Sequence, residues 1–343
     1  MKTRSRRCDF ASIWLVAGVL IGLCACPPNV PTPDPVDPPG PAATGTATDT
    51  ATTDPAPTQP AGWRHTRTSL TVKLGSARHS AVDVIANPGS SPGVRGKFAY
   101  GKLSKDLEDE EVWLQIADEA GNFTSVGKGR TDGDGRVTIL LPARFLERAG
   151  AHRFRFLVSG DLSTAEGYVW LLERGTKVVV FDIDGTLTTG DSELIDDAFG
   201  GDIDVRNGAV DVVRHWADTG HTPVFLTGRP YMYNRSTRAW LHEHGFPAGP
   251  MITADSLGQA MPSAGGVGTF KREWLRALIG DVGVSVQAAY GNASTDICGF
   301  AQAGISPSVT YIIDNDQKAC DGFGPVNLIA GQDYLAHVAS LRQ

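Results

Sequence analysis

Residues 177–189 read Lys-Val-Val-Val-Phe-Asp-Ile-Asp-Gly-Thr-Leu-Thr-Thr. Val178 to Phe181 form an apolar run without alternation, the pattern of a strand covered on both faces and hence of a parallel sheet. The run stops at two carboxylates one residue apart, Asp182 and Asp184, followed by the breaker Gly185. In open parallel sheets ligands gather beyond the carboxyl ends of strands, so both acids belong at the mouth of the sheet. Two facing carboxylates repel, and a divalent cation relieves that repulsion. One acid can then attack while its neighbour moves a proton. The same residues also read as a plain Asp-Gly turn after a strand.

Working outward, Val224-Phe225-Leu226 is a second apolar run, ending on Thr227-Gly228-Arg229. Lys271 opens a helical stretch. Ala288-Ala289-Tyr290 leads into Gly291-Asn292, with Asp296 four residues after the asparagine. A hydroxyl, a lysine and a late carboxylate at strand ends or helix starts are what phosphoryl transfer requires, because they hold equatorial oxygens, neutralise charge and bind a hard cation. Arg229 has two readings, a phosphate contact through its guanidinium or a structural ion pair.

These motifs, in this order, resemble the four motifs of the haloacid dehalogenase (HAD) superfamily of Mg²⁺-dependent phosphohydrolases. More narrowly they are similar to the lipin-type LNS domain. The stretches 205–216, Thr227-Gly228-Arg229-Pro230 and Ala288-Ala289-Tyr290-Gly291 resemble the LNS domain of membrane-associated RdgB-like phosphatidylinositol transfer proteins. Residues 79–103, with Asp83-Val84-Ile85-Ala86-Asn87-Pro88, resemble the region upstream of it, so the likeness spans about 75–343. It implies that Asp182 attacks phosphorus and that Asp184 acts as acid and then base. Thr227 and Lys271 would hold the phosphoryl group, and Gly185, Thr186, Gly228 and Arg229 would line the substrate. Mg²⁺ would sit on Asp182, Asp184 (through its carbonyl) and Asp296, with Asn292 nearby. RdgB-like proteins have lost the first aspartate and bind phosphatidic acid without hydrolysing it. Here Asp182 is present, as in lipins, which are phosphatidic acid phosphatases. The resemblance therefore implies a phosphatase acting on phosphatidic acid or a related membrane phospholipid, with a non-catalytic phosphatidic-acid-binding module as the alternative. A third reading makes the upstream domain an adhesion or scaffold module.

The chain has 343 residues, with 31 Lys+Arg against 38 Asp+Glu. That acidic balance excludes a general nucleic-acid binder. Lys2, Arg4, Arg6 and Arg7 precede the apolar run Ile13 to Ala25, as in an export signal. Leu23-Cys24-Ala25-Cys26 resembles a bacterial lipoprotein box, which implies cleavage before Cys26, acylation of its thiol and an exported, membrane-anchored protein. A plain secretory signal and a short membrane anchor are the competing readings. Residues 27–62 hold eleven of the 21 prolines and no Lys or Arg. Such a segment cannot build a core and reads as a tether. An anchored tether would bring the globular part to a membrane through a local basic site rather than through overall charge.

The expected organisation is a signal over 1–26, a linker over 27–62, an all-β sandwich over 63–172 and an α/β domain over 173–343. The sandwich rests on strand-like runs at 69–74, 81–86, 94–100, 112–117, 137–141, 152–158 and 165–172. From 176 onward apolar runs alternate with helical stretches, which predicts a doubly wound parallel sheet. The short intervals between motifs leave no room for a large cap. Asp132-Gly133-Asp134-Gly135 reads as a hairpin turn rather than a calcium loop, since the later ligands are missing. His242-Glu243-His244 reads as solvated helix surface. Cys298 and Cys320 lack zinc spacing, and the reading leans to two buried free thiols, with pairing as the alternative.

Overall fold

The computed structural model describes residues 55–343 apart from 102–103, 191–203, 255–263 and 315–318. The expected signal, the acylation site Cys26 and the linker as far as 54 lie outside the described residues.

The first half is built from ten strands: β1 (Ser80–Ala81), β2 (Val84–Ala86), β3 (Gly93–Lys97), β4 (Ala99–Tyr100), β5 (Lys105–Asp106), β6 (Glu111–Ala117), β7 (Phe123–Arg130), β8 (Arg136–Leu140), β9 (Gly150–Val158) and β10 (Thr164–Leu171). They form a five-stranded sheet in the order β2-β10-β9-β6-β7, a three-stranded sheet β1-β3-β8 and a small pair β4-β5. Phe98, Leu114, Phe154, Phe156 and Val169 are among the buried side chains of the core they share. Pairing is antiparallel except between β2 and β10, which run parallel. The Asp132–Gly135 stretch is a hairpin turn. Asp132 Oδ1 accepts from the amides of Asp134 and Arg136 at 2.9 and 2.8 Å, and Gly135 takes φ +67°.

One expectation is corrected here, and one strand is added. Residues 69–74 are not a strand but part of helix α1 (Thr66–Thr71) and the 3₁₀ turn Val72–Leu74. Alternating Leu, Val and Leu also fits a short amphipathic turn, and inward contacts of Thr68 and Val72 select the helix. Strand β7, at the sheet edge, carries little hydrophobic signal because only Val126 and Gly127 of its residues are buried.

The second half is a parallel sheet of six strands: β11 (Lys177–Phe181), β12 (Thr222–Pro230), β13 (Met251–Ala254), β14 (Ser285–Gly291), β15 (Thr310–Ile313) and β16 (Asn327–Ile329), in the order β13-β12-β11-β14-β15-β16. Helices α2 (Ala209–Asp218), α3 (Asn234–Glu243), α4 (Thr269–Ala277), α5 (Ser294–Gln302) and α6 (Leu335–Leu341) connect or follow these strands. Buried clusters on the two faces of the sheet, one with Phe181, Phe225 and Tyr290 and one with Val180, Leu226 and Phe300, explain the unbroken apolar runs. Strand order reverses at β11, which has β12 on one side and β14 on the other. That reversal is the topological switch point where such sheets bind ligands. The three-residue strand β16 is too short for a periodicity signal. Among the described residues, no separate cap domain rises between the motifs.

The halves are joined through a buried acid. Asp83, with a side chain 0 % exposed, pairs with Arg238 of α3 at 2.7 Å. It also accepts from the amides of Tyr168 and Met251 at 2.9 and 3.1 Å. Asn87 donates to the carbonyls of Leu172 and Val282 at 2.8 and 3.0 Å. The Asp83–Asn87 stretch is thus the seam between sandwich and parallel sheet. Cys298 and Cys320 are joined as a disulfide, so the leaning toward free thiols is overturned. Helix α5 and the segment after β15 bring two cysteines 22 positions apart to a Cα separation of 5.2 Å, a proximity that spacing alone does not encode.

Candidate functional site

β11 pairs with both neighbours, shifting register once against β14 between Val178 and Val179, and Phe181 lies opposite Phe225 and Tyr290. The residues following those three positions therefore emerge together at the switch point. The Asp182 amide still donates to Tyr290 O at 3.0 Å, carrying the pairing one residue past the strand. Gly185 at φ +71° then bends the chain, in a region that side-chain-bearing residues rarely adopt. The turn is closed by the Gly185 amide donating to Thr188 Oγ1 at 2.9 Å.

Asp182 and Asp296 face each other across Lys271. The ammonium lies 2.6 Å from Asp182 Oδ1 and 2.5 Å from Asp296 Oδ1, and all three groups are buried. The other oxygen of Asp182 accepts from Thr186 at 3.0 Å, and Thr186 also reaches Asn292 Oδ1 at 3.4 Å. Asp296 Oδ2 accepts from the amides of Asn292 and Ala293, both at 3.0 Å, which satisfies the start of α5. Gly291 permits this closeness, since a Cβ there would stand 2.5 Å from that of Asp296. Burial, and next the Asp296 carboxylate, push the Asp182 carboxyl up to about 7 against the pull of Lys271. Burial pulls the Lys271 ammonium down, but the two carboxylates outweigh it and the net shift is upward.

The Asp184 side chain is 16 % exposed, and both its oxygens are engaged. Thr227 donates to Oδ2 at 2.8 Å, while Arg229 Nε donates to Oδ1 at 2.9 Å. Arg229 is 0 % exposed and its Nη1 donates to Thr237 at 3.2 Å. The expectation of Arg229 as a substrate contact is thus corrected. Its guanidinium lies inside the protein against Asp184, the structural ion pair of the two readings, with Nη2 held by that pair and by no hydrogen bond. Thr186 is likewise buried against Asp182, so it braces the acid and is not open to substrate. Thr227 is also buried, holding Asp184. Gly228 remains half-buried at the edge. Asp182, Asp184, Thr227, Lys271, Asn292 and Asp296 are all brought together.

Two supports escaped the sequence reading. Arg206, nearly fully buried, donates to Gly185 O at 2.7 Å, Thr188 O at 3.2 Å and Gln332 O at 2.9 Å, and also pairs with Asp314. Tyr334 donates to Thr186 O at 3.1 Å. The only available signal was the position of Arg206 just before α2, inside a stretch already noted for its resemblance.

Comparisons with known proteins place both halves. Residues 77–171 match the family described as "PITM 1-3, beta-sandwich domain", and residues 179–314 match "PITM 1-3, LNS2 domain". Membrane-associated phosphatidylinositol transfer protein 1 of Homo sapiens is 34% identical over 81% of this chain and 22% of its own length. Protein retinal degeneration B of Drosophila melanogaster is 32% identical over 82% of this chain and 21% of its own length. The chain thus spans about a fifth of these relatives. Among solved structures, a D,D-heptose 1.7-bisphosphate phosphatase from B. bronchiseptica superposes with a TM-score of 0.34 at 15% identity, over 49% of this chain and 99% of that one. A likeness that low lends no support to a shared chemistry.

Proposed function

Because the globular part of this chain belongs to the PITM 1-3 family, a beta-sandwich domain followed by an LNS2 domain, we propose that the switch-point site hydrolyses a phosphomonoester borne by a membrane phospholipid, phosphatidic acid being the simplest. The carrying observation is the division of labour between the two carboxylates. Asp182 is buried and braced by Lys271 and Thr186, whereas Asp184 is partly exposed. A fixed nucleophile behind a partly exposed proton carrier is the arrangement in-line displacement needs. An Asp182 oxygen bonds to phosphorus as the bond to the lipid alkoxide breaks, and Asp184 gives that alkoxide its proton. Asp184 then takes a proton from the water that cleaves the aspartyl-phosphate, returning free Asp182 and inorganic phosphate. Lys271 offsets the charge of the transferring group.

The donor set suits a hard cation in kind. Asp182, Asp296, Asn292 and the Asp184 carbonyl offer oxygen donors, and the Asp296 repulsion that, after burial, lifts Asp182 is what a divalent cation would relieve. Mg²⁺ bound there would supply Lewis-acid stabilisation of the phosphoryl oxygens.

One observation favours the alternative, a phosphatidic-acid-binding module without turnover. Both oxygens of Asp184 are held by Thr227 and Arg229, which restrains it as a proton donor. The relatives' names carry phosphatidylinositol transfer, which agrees with a lipid ligand under either reading. The test is Mg²⁺-dependent phosphate release from phosphatidic acid vesicles and from a soluble sugar phosphate, by the wild type and by Asp182→Asn. Release from vesicles that Asp182→Asn abolishes supports the phosphatase. Vesicle binding without release supports the binding module, and greater efficiency on the sugar phosphate overturns the lipid substrate.

A further inference from the structure

No Asp or Glu occurs between Asp54 and Asp83, although the chain as a whole carries a formal net charge of −7. That stretch holds Arg64, Arg67, Lys73 and Arg78, all exposed. In its middle, α1 and the following 3₁₀ turn have two dissimilar faces. Thr68 and Val72 point inward, Thr68 donating to Glu110 at 2.7 Å and Val72 packing on the sandwich core. Leu70 and Leu74, four residues apart on the other face, are 62 % and 60 % exposed. They are among the most exposed large apolar side chains described. Since the inner face is already seated, the outward leucines are not waiting for a place in this core.

The patch contacts a loop that reaches toward the segment following Arg229. A Cβ on Gly101 would lie 2.8 Å from Leu74 O, and the Gly101 amide donates to Ser76 O at 3.0 Å. The same loop brings Ser104 Oγ to 3.4 Å from the Tyr231 hydroxyl, and Tyr231 stands two residues past Arg229. Two of the cations have acidic neighbours, Arg64 with Asp109 at 3.7 Å and Arg67 with Glu108 at 3.4 Å. Among the described residues, Lys73, between the two leucines, and Arg78, four residues past Leu74, are in no such pair.

We propose that this face, Leu70 and Leu74 with Lys73 and Arg78, docks on an anionic lipid surface and sets the rim of the site toward it. Exposed leucines flanked by basic residues are the composition that settles at a headgroup boundary, with the apolar groups entering and the cations meeting lipid phosphates. The proposal rests on the reading of the substrate as a membrane lipid only for its purpose, because its deciding readout, amide exchange on vesicles, does not depend on turnover.

The experiment is hydrogen exchange on the full chain with vesicles of phosphatidylglycerol, and with phosphatidylcholine vesicles as the neutral control. Amides of residues 66–76 should exchange about fivefold or more slowly on the anionic vesicles alone. The double variant Leu70→Ser/Leu74→Ser and the single variant Lys73→Glu should each lose that protection while melting like the wild type. Both should release phosphate from p-nitrophenyl phosphate at the wild-type rate. Absence of vesicle-dependent protection over 66–76, equal protection on neutral vesicles, or protection unchanged in both variants would overturn the docking face. Protection in a protein that releases no phosphate supports the docking face and counts only against the phosphatase reading.

Discussion

At the scale of single residues the site turns on one ammonium between two buried carboxylates. Taking Lys271 away leaves Asp182 and Asp296 facing each other in a low-dielectric setting, and breaking buried ion pairs in this way costs about 3–5 kcal/mol. Lys271→Met should accordingly lower the midpoint of chemical denaturation. Added Mg²⁺ should restore part of that loss, more than it stabilises the wild type, if the two carboxylates can hold a cation. A midpoint indifferent to Mg²⁺ would remove them from the proposed metal set. Arg229 teaches a different lesson. From sequence its guanidinium could equally bind a phosphate or an acid of the protein itself. Complete burial decides for the latter, because a charge enclosed that fully is retained only beside its counter-charge.

At the scale of elements, the loop carrying the acids is held from behind by parts distant in sequence. Arg206 serves four acceptors across the β11 turn, the end of β15 and the segment ahead of α6. Arg206→Met strands those acceptors, and the expected cost is about 3–5 kcal/mol, Asp314 being left without its cation. Tyr334→Phe removes one hydrogen bond to the same loop and should cost only about 1 kcal/mol. Equilibrium urea unfolding of both variants checks the ordering; equal losses would mean that Arg206 does not carry the loop. The paired cysteines belong to the same scale, since α5 and the chain after β15 close on each other through the fold.

At the scale of the whole molecule, one acid links the halves and one histidine sets a pH response. Asp83→Ala leaves the amides of Tyr168 and Met251 unpaired and frees Arg238, so we expect a loss of about 3 kcal/mol or more. Limited proteolysis should then cut near residues 172–176. Wild-type resistance there would mean that the seam is held by other contacts. His79 sits against the rings of Phe98 and Tyr100, and burial lowers its pKa to about 4, with Asp161 opposing the shift. The unfolded chain, with an ordinary histidine near 6.5, binds the proton more readily than the fold. This contribution is therefore fully present above the unfolded value and is lost as pH falls from there toward 4, by about 2–3 kcal/mol. Stability measured across that window should vary less steeply in His79→Gln than in the wild type; identical slopes would reject the assignment.

Sequence alone determined the parallel sheet and the placing of Asp182, Asp184, Thr227 and Asn292 just past its apolar runs, while Lys271 and Asp296, on helices, joined them through the family resemblance. The apolar runs declare strands covered on both sides, and strand ends in such a sheet share one edge. The sandwich strands with clear alternation were legible for the same reason, whereas the edge strand β7 and the short β16 were not, having few residues forced inward. Only the tertiary structure decided that Arg229 and Thr186 brace the two acids, that Arg206 and Tyr334 hold their loop, that Cys298 meets Cys320 and that 66–74 is helical. Each of these depends on which distant group fills the space beside a side chain. Periodicity reports whether a residue faces inward, and it does not report what it meets there.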